Sequence, residues 1–296
     1  MITANTIEYL ESPQQNEDRL SVLKNIEYNE LHALFNEGVE NDPPIVPIDV
    51  KTLDLLNKKL KSKICTRVAN FMGKRFFNRM MSSQKVIFKG VTGLQNLQGF
   101  SGAAMITCNH CHIFDNFAVY LALKQHFNHR KFILHKVVRE GNYSYPGIIG
   151  FFLRNCNTLP VHESEKSMNV RVTAATSQAI STLLRQGKQI LIYPEQAMWW
   201  NYKKPRPMKI GAFKFASKAK VPIIPLFITL KDSGIMGEDG FFVQEFTVNV
   251  LPIIYPDDTL DAQQNMSMMH QKNADLWKQT YESVYGIPLQ YTTIVQ

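Results

Sequence analysis

From residue 86 onward the apolar positions fall into short runs of strand length, separated by segments with a helical period. Residues 85–89 (KVIFK), 104–108 (AMITC), 132–138 (FILHKVV), 159–161 and 189–193 (QILIY) read as strands. So do the apolar run 223–229 and the longer run 241–251. Between them, residues 115–123, 146–154, 169–186 and 211–218 carry helical spacing, and the third of these stops at Gly187. Residues 267–285 form a closing helix. Strands that alternate with helices predict an α/β fold: a central mixed, largely parallel sheet flanked by helices, with a helical N-terminal extension. The boundary falls between an extension, 1–85, and a principal domain, 86–296.

The extension divides by charge. Residues 1–54 are acidic: over the first fifty, Glu8, Glu11, Glu17, Asp18, Glu27, Glu30, Glu37, Glu40, Asp42 and Asp49 outnumber Arg19 and Lys24. A helix is expected over 20–35, then an extended Pro-rich piece, 42–49 (DPPIVPID); no chemistry attaches to either. Residues 55–85 are basic and amphipathic, and no acidic residue occurs from Leu55 to Gly90. At 100° per residue Ile64, Val68, Phe71, Met72, Phe76 and Met80 gather on one arc, with Lys63, Arg67 and Lys74 off it. Arg75 and Arg79 intrude on the arc and have to snorkel. Such a helix either lies on an anionic membrane surface or packs its arc on the protein's own core. On the first reading Lys63, Arg67, Phe71, Lys74, Arg75 and Phe76 make the membrane contact.

The chain has 296 residues, 45% hydrophobic and 20% charged, ordinary values for a globular protein. The net charge of +8 favours anionic partners, and no nucleic-acid motif accompanies it. Four cysteines, Cys65, Cys108, Cys111 and Cys156, are too few for a disulfide scaffold at this length and read as thiols. The first residues carry no positive start followed by an apolar stretch, and no apolar run reaches the roughly 18 residues of a spanning helix. The expected location is cytoplasmic, peripheral on the inner face of the membrane.

The chemistry concentrates at residues 109–115, Asn-His-Cys-His-Ile-Phe-Asp. The strand before it delivers His110 to the sheet's C-terminal edge, where ligands bind in open α/β sheets. Asp115 stands where the next helix starts, so it can cap that helix or accept a bond from the His110 ring. A carboxylate on one ring nitrogen fixes the tautomer and frees the other to take a proton. No Ser or Cys partner is evident, so the substrate's own hydroxyl serves as nucleophile. Two other readings compete. Asp115 is only a helix cap, or Cys108, His110, Cys111 and His112 are metal ligands, although Cys156 and His162 are not spaced as the second pair such a site needs.

Asn109-His110, four residues, then Asp115 resembles the signature of the glycerolipid acyltransferases, which include the lysophosphatidic acid acyltransferases. Tyr193-Pro194-Glu195 after the strand 189–192 is similar to the family's aromatic-Pro-Glu block. Residues 221–226 (VPIIPL) resemble its last block. The resemblance covers about 86–251. It implies a glycerol-3-phosphate acyltransferase-like fold and a mechanism in which His110 deprotonates an acceptor hydroxyl. That oxygen then attacks the thioester of acyl-CoA or of an acyl carrier protein. No cofactor and no metal are implied, and the acceptor is a lysophospholipid such as 1-acylglycerol-3-phosphate or a related lipid.

Two positions depart from the family pattern. Glu163 and Met198 stand where members usually carry the arginines that hold an acceptor phosphate. The replacement is expected in the basic loop 201–209 (NYKKPRPMK), at Lys203, Lys204 and Arg206, with Lys136 and Arg139 as second choices. Tyr193, Pro194, Glu195 and Gln196 complete the expected substrate-binding set. Trp199 and Trp200 are expected at the membrane interface or along an acyl tunnel. A metal-dependent hydrolase and a non-catalytic lipid-binding module are the alternatives.

Overall fold

The computed structural model describes residues 15–41, 45–127, 132–161 and 170–292. Glu8, Glu11, Asp42, His162 and Glu163 lie outside the described residues. The described chain forms one seven-stranded sheet from β1 (Ile87–Thr92), β2 (Ala104–Thr107), β3 (Leu134–Arg139), β4 (Thr158–Val161), β5 (Gln189–Ile192), β6 (Ile223–Met236) and β7 (Phe242–Val250). The spatial order is β1-β7-β6-β2-β5-β3-β4. Strands β2 to β6 run parallel, β7 is antiparallel to β6, and β1 is parallel to β7. The mixed, largely parallel sheet is the one the alternating pattern predicts.

Helices cover both faces, as a parallel sheet requires. On one face, Phe77 of α2 (Leu60–Ser82) and Ala118, Val119, Ala122 and Leu123 of α3 (Asp115–Leu123) pack on Ile106, Leu191 and Ile224. On the other, α5 (Val170–Arg185), α6 (Gly211–Ala219) and α7 (Ala262–Tyr285) pack on Met105, Ile190 and Ile223. The remaining helices are α1 (Glu17–Leu31) and α4 (Gly147–Asn155). The Asp261 side chain caps α7 in a reciprocal capping box with Gln264, so this helix starts five residues before its apolar pattern shows. Strand β6 also runs past its apolar half, because its exposed end pairs with β7 out to Met236 and Phe242.

The amphipathic helix turns out opposite to a core helix. Its buried line is Ala69, Gly73 and Phe77. Most of the predicted apolar arc is bare: Ile64 is 50% exposed, Phe71 62% and Phe76 46%, with Val68 and Met72 beside them, while Met80 packs on the core. Lys63, Arg67, Lys74 and Arg75 are exposed around it. Small residues on the inner line let the helix lie close to the domain, and its large apolar side chains are left facing out.

His135 on β3 is buried, its Nδ1 has no partner among the described residues, and burial with Lys136 and Lys188 nearby holds its pKa down to about 4. An unfolded histidine titrates near 6.5, so below that pH the unfolded chain binds more protons than the folded one. Its contribution to stability is therefore complete above pH 6.5 and lost as pH falls toward 4. By pH 5 the expected loss is about 2 kcal/mol relative to neutral pH. Denaturant unfolding at pH 7 and pH 5 measures it, and His135→Gln should flatten the difference; equal slopes in both proteins would refute this origin.

Candidate active site

Strand β2 ends at Thr107, and the next residues turn along the C-terminal edge of the sheet. Asn109 fastens that turn. Its Nδ2 donates to the Ile228 carbonyl at 3.0 Å and its Oδ1 accepts from the Ile228 amide at 2.7 Å, so the side chain pairs with β6 as a strand residue would. This role has no signal in the sequence beyond the position next to His110.

The His110 ring then meets Asp115, with Nδ1 and Oδ2 3.0 Å apart. The same carboxylate oxygen accepts from the Cys111 amide at 2.8 Å and the His112 amide at 3.0 Å. Its other oxygen takes the Cys111 thiol at 3.7 Å. Asp115 is completely buried, and three N–H donors with one thiol fill its acceptor capacity. It is thus the first residue of α3 and the orienter of the ring at once; the expected helix cap is corrected, because its carboxylate holds the turn before the helix and α3 has no side-chain cap. An acidic oxygen bonded to Nδ1–H leaves Nε2 as the acceptor, and Nε2 has no hydrogen-bond partner among the described residues. The ring remains 20% exposed, so a substrate can reach it.

Tyr193 stacks on that ring, centroids 4.1 Å apart and planes 16° from parallel, and its hydroxyl donates to Asn116 Oδ1 at 3.3 Å. Burial pushes the Tyr193 phenol well up, so it stays protonated and acts as a wall. Glu195 does not face solvent. Its Oε2 accepts from the His110 amide at 3.0 Å, and its Oε1 from the Arg206 amide at 2.8 Å. Pro194 is buried beside it, and Gln196 is exposed in a left-handed conformation, φ 65°, at the turn's end.

The expected basic loop is corrected by this geometry. Lys204 is buried and ion-paired with Glu30 of α1. Arg206 is buried and bonded to Glu195, the Ala197 carbonyl and the Phe35 carbonyl. Their charges are spent inside the protein, so neither is a solvent-facing phosphate ligand; Lys203, just before them, is half-buried. Trp199 and Trp200 are likewise corrected. Both are buried against Val22, Leu23, Ile26 and Val39 of the N-terminal segment, so neither is exposed as an interface anchor.

Lys136 fares differently. It pairs in register with Leu191, two residues before Tyr193, and strand alternation gives it the face that carries Leu134. Burial lowers its ammonium below the ordinary value, opposed only by the Cys156 thiol, and no described carboxylate lies within ion-pairing distance. Alternation gives Arg139 the opposite face, shared with Val137.

Cys108 and Cys111 are buried, and burial with Asp115 nearby pushes both thiols well up, so neither offers a thiolate. His112 accepts the Phe114 amide at Nδ1, 3.2 Å away, and burial holds its pKa near 4. Among the described residues no group of three or more His, Cys, Asp or Glu is placed to hold a metal ion. No helix among them is long and apolar enough to cross a membrane.

An oriented histidine with one open nitrogen, and no thiolate beside it, can take a proton from a hydroxyl brought to that nitrogen. Residues 89–229 match the sequence model of the acyltransferase family, and this span contains every residue of that arrangement. No curated protein sequence matches the chain. Among solved structures, the 1-acyl-sn-glycerophosphate (LPA) acyltransferase PlsC from Thermotoga maritima shares the acyltransferase fold, with a TM-score of 0.50. It is 15% identical, and the match covers 79% of this chain and 86% of that one.

Proposed function

We propose that this protein is an acyltransferase that moves a fatty acyl group from an acyl thioester, acyl-CoA or acyl carrier protein, to a hydroxyl of a lysophospholipid-like acceptor at an anionic membrane surface. The observation that carries the reading is the His110 ring, fixed by Asp115 through Nδ1 and open at Nε2. Nε2 takes the acceptor's hydroxyl proton as the oxygen attacks the thioester carbonyl. The tetrahedral intermediate then collapses, expels the thiolate, and the protonated ring returns the proton to that sulfur. Asp115 stabilises the imidazolium in between.

The acceptor's anionic headgroup is assigned to Lys136. It shares the site's face and has no counter-ion among the described residues, and a desolvated ammonium binds an anion more tightly than a solvated one. Lys136→Met should raise KM for a phosphate-bearing lysolipid while leaving kcat and the donor's KM nearly unchanged, since a headgroup contact is made equally in ground and transition states. A raised donor KM instead would move Lys136 to the CoA or carrier side. A lysolipid without phosphate separates the two further.

The membrane contact is assigned to the outer arc of α2. Its rings reach the site: Phe77 stacks on Phe117, and Phe76 lies 6.2 Å from Phe114, between His112 and Asp115. Ile113 on the same loop is 53% exposed. Each basic residue near an anionic surface contributes about 1 kcal/mol, screened within roughly 8 Å at physiological ionic strength. Vesicle binding should therefore need anionic lipid and weaken with salt. Because Phe71 and Phe76 are exposed, changing both to Ser should release the protein from vesicles without lowering its melting temperature. Unchanged binding by that variant would assign the contact elsewhere.

A further inference from the structure

The acidic N-terminal segment carries no chemistry of its own in the sequence and precedes the acyltransferase span, yet it is fastened to the loop beside His110. That loop, 197–206, has two sides. Toward the site, the Trp199 amide donates to the His110 carbonyl at 3.2 Å and the Asn201 amide to the Cys111 carbonyl at 2.7 Å. Away from it, Trp199 Nε1 donates to the Glu37 carbonyl at 3.0 Å, Arg206 Nη1 to the Phe35 carbonyl at 3.0 Å, and the Tyr202 hydroxyl to Glu30 Oε2 at 3.0 Å. Lys204 closes on the other oxygen of Glu30, both side chains less than 10% exposed. Arg19 stacks on Trp200 at 4.9 Å.

Arg206 joins the two sides. Its guanidinium lies 4.6 Å over the Trp199 ring and 3.4 Å from Glu195, whose same oxygen holds the His110 amide. Burial raises the Glu195 carboxyl and lowers the Arg206 guanidinium, and their mutual attraction opposes both shifts. The main chain of His110 is therefore gripped at both ends, N–H by Glu195 and C=O by the Trp199 amide. Both grips stand on residues that the N-terminal segment holds down.

We propose that segment 16–40 is a positioning element for the His110 base: Arg206 is a positioning residue acting through Glu195, and the Glu30–Lys204 pair is the lock that keeps the segment docked. The inference rests on the reading of His110 as the base of acyl transfer. Asp115 sets the direction of the ring, and the docked segment sets where the ring stands relative to the substrate. A misplacement of about 1 Å at a reacting group costs on the order of 10²-fold in rate.

The lock makes the idea testable, because breaking a buried pair from one side leaves a buried charge, whereas removing both charges restores neutrality. Lys204→Met and Glu30→Gln should each lower kcat, by roughly 10- to 10²-fold. KM for acyl thioester and lysolipid should be unchanged, in proteins that circular dichroism shows to be folded at the assay temperature. The Glu30→Gln/Lys204→Met double variant should regain most of the lost kcat. Arg206→Lys keeps a charge beside Glu195 but loses the fork that also reaches Phe35 and Ala197, so it should lose kcat too, and it serves if a lock variant fails to fold. Wild-type kcat in the folded single variants, no recovery in the double, or a raised acceptor KM at intact kcat would each overturn the proposal. NMR of the histidine rings separates this from the reading beneath it. His110 signals should shift in Lys204→Met and return in the double variant even if the wild-type protein transfers no acyl group, in which case only the catalytic reading fails.

Discussion

A folded His110→Ala protein should transfer acyl groups on the order of 10²- to 10⁴-fold more slowly than the wild type, the usual worth of a general base. The ring lies half-buried, bonded to Asp115 and stacked on Tyr193, so its removal leaves the grips on its main chain in place. The Asp115 carboxylate loses one donor and keeps two backbone amides. Stability should therefore change little, and KM for both substrates should hold, because proton transfer is a transition-state interaction. Near-normal turnover by the folded variant would remove His110 from the reaction.

Asp115→Asn should be nearly as severe, with a loss of about 10²- to 10⁴-fold in kcat. The physical reason differs. Asparagine's oxygen can still accept from His110, Cys111 and His112, so the loop keeps its shape if the amide nitrogen turns toward the Cys111 thiol. What disappears is the negative charge that stabilises the imidazolium after proton transfer. In the flipped orientation the amide donates to the ring, forces the wrong tautomer, and puts the proton on Nε2. Asp115→Asn should thus lose rate while His110→Ala loses the base outright, and combining them should cost little more than His110→Ala alone, because the two act as one unit. Additive losses would mean that Asp115 serves the fold and not the ring.

The alternation of strands and helices made the sheet legible, and so did the placement of His110 at the end of β2 and Asp115 at the start of α3. These are local signals, written within a few residues of each other. The fate of Lys204 and Arg206 was not legible. A run such as Lys-Lys-Pro-Arg reads as a solvated or phosphate-binding loop, and the carboxylate that neutralises Lys204 stands 174 positions earlier in the chain. The acidic excess of the first 54 residues contained that counter-ion without marking it. Glu195 carried a family-like position, but its bond to the His110 amide crosses 85 positions and involves backbone, which composition does not report. Trp199 and Trp200 were misplaced for the same reason: their cover is α1, and only the packing shows it. For α2 the pattern gave the apolar arc correctly and left open what faces it; the small residues Ala69 and Gly73 on the other side decide that the arc points outward.

The central claim is acyl transfer to a hydroxyl-bearing lysolipid. It is tested most directly by incubating the purified protein with a labelled acyl thioester and a panel of lysolipids on anionic vesicles, and resolving the products by mass. The expected result is a diacyl product whose mass exceeds the acceptor by one acyl group, strongest with a phosphate-bearing acceptor and absent with His110→Ala. Release of free fatty acid without a diacyl product, or a diacyl product formed equally by His110→Ala, would contradict it.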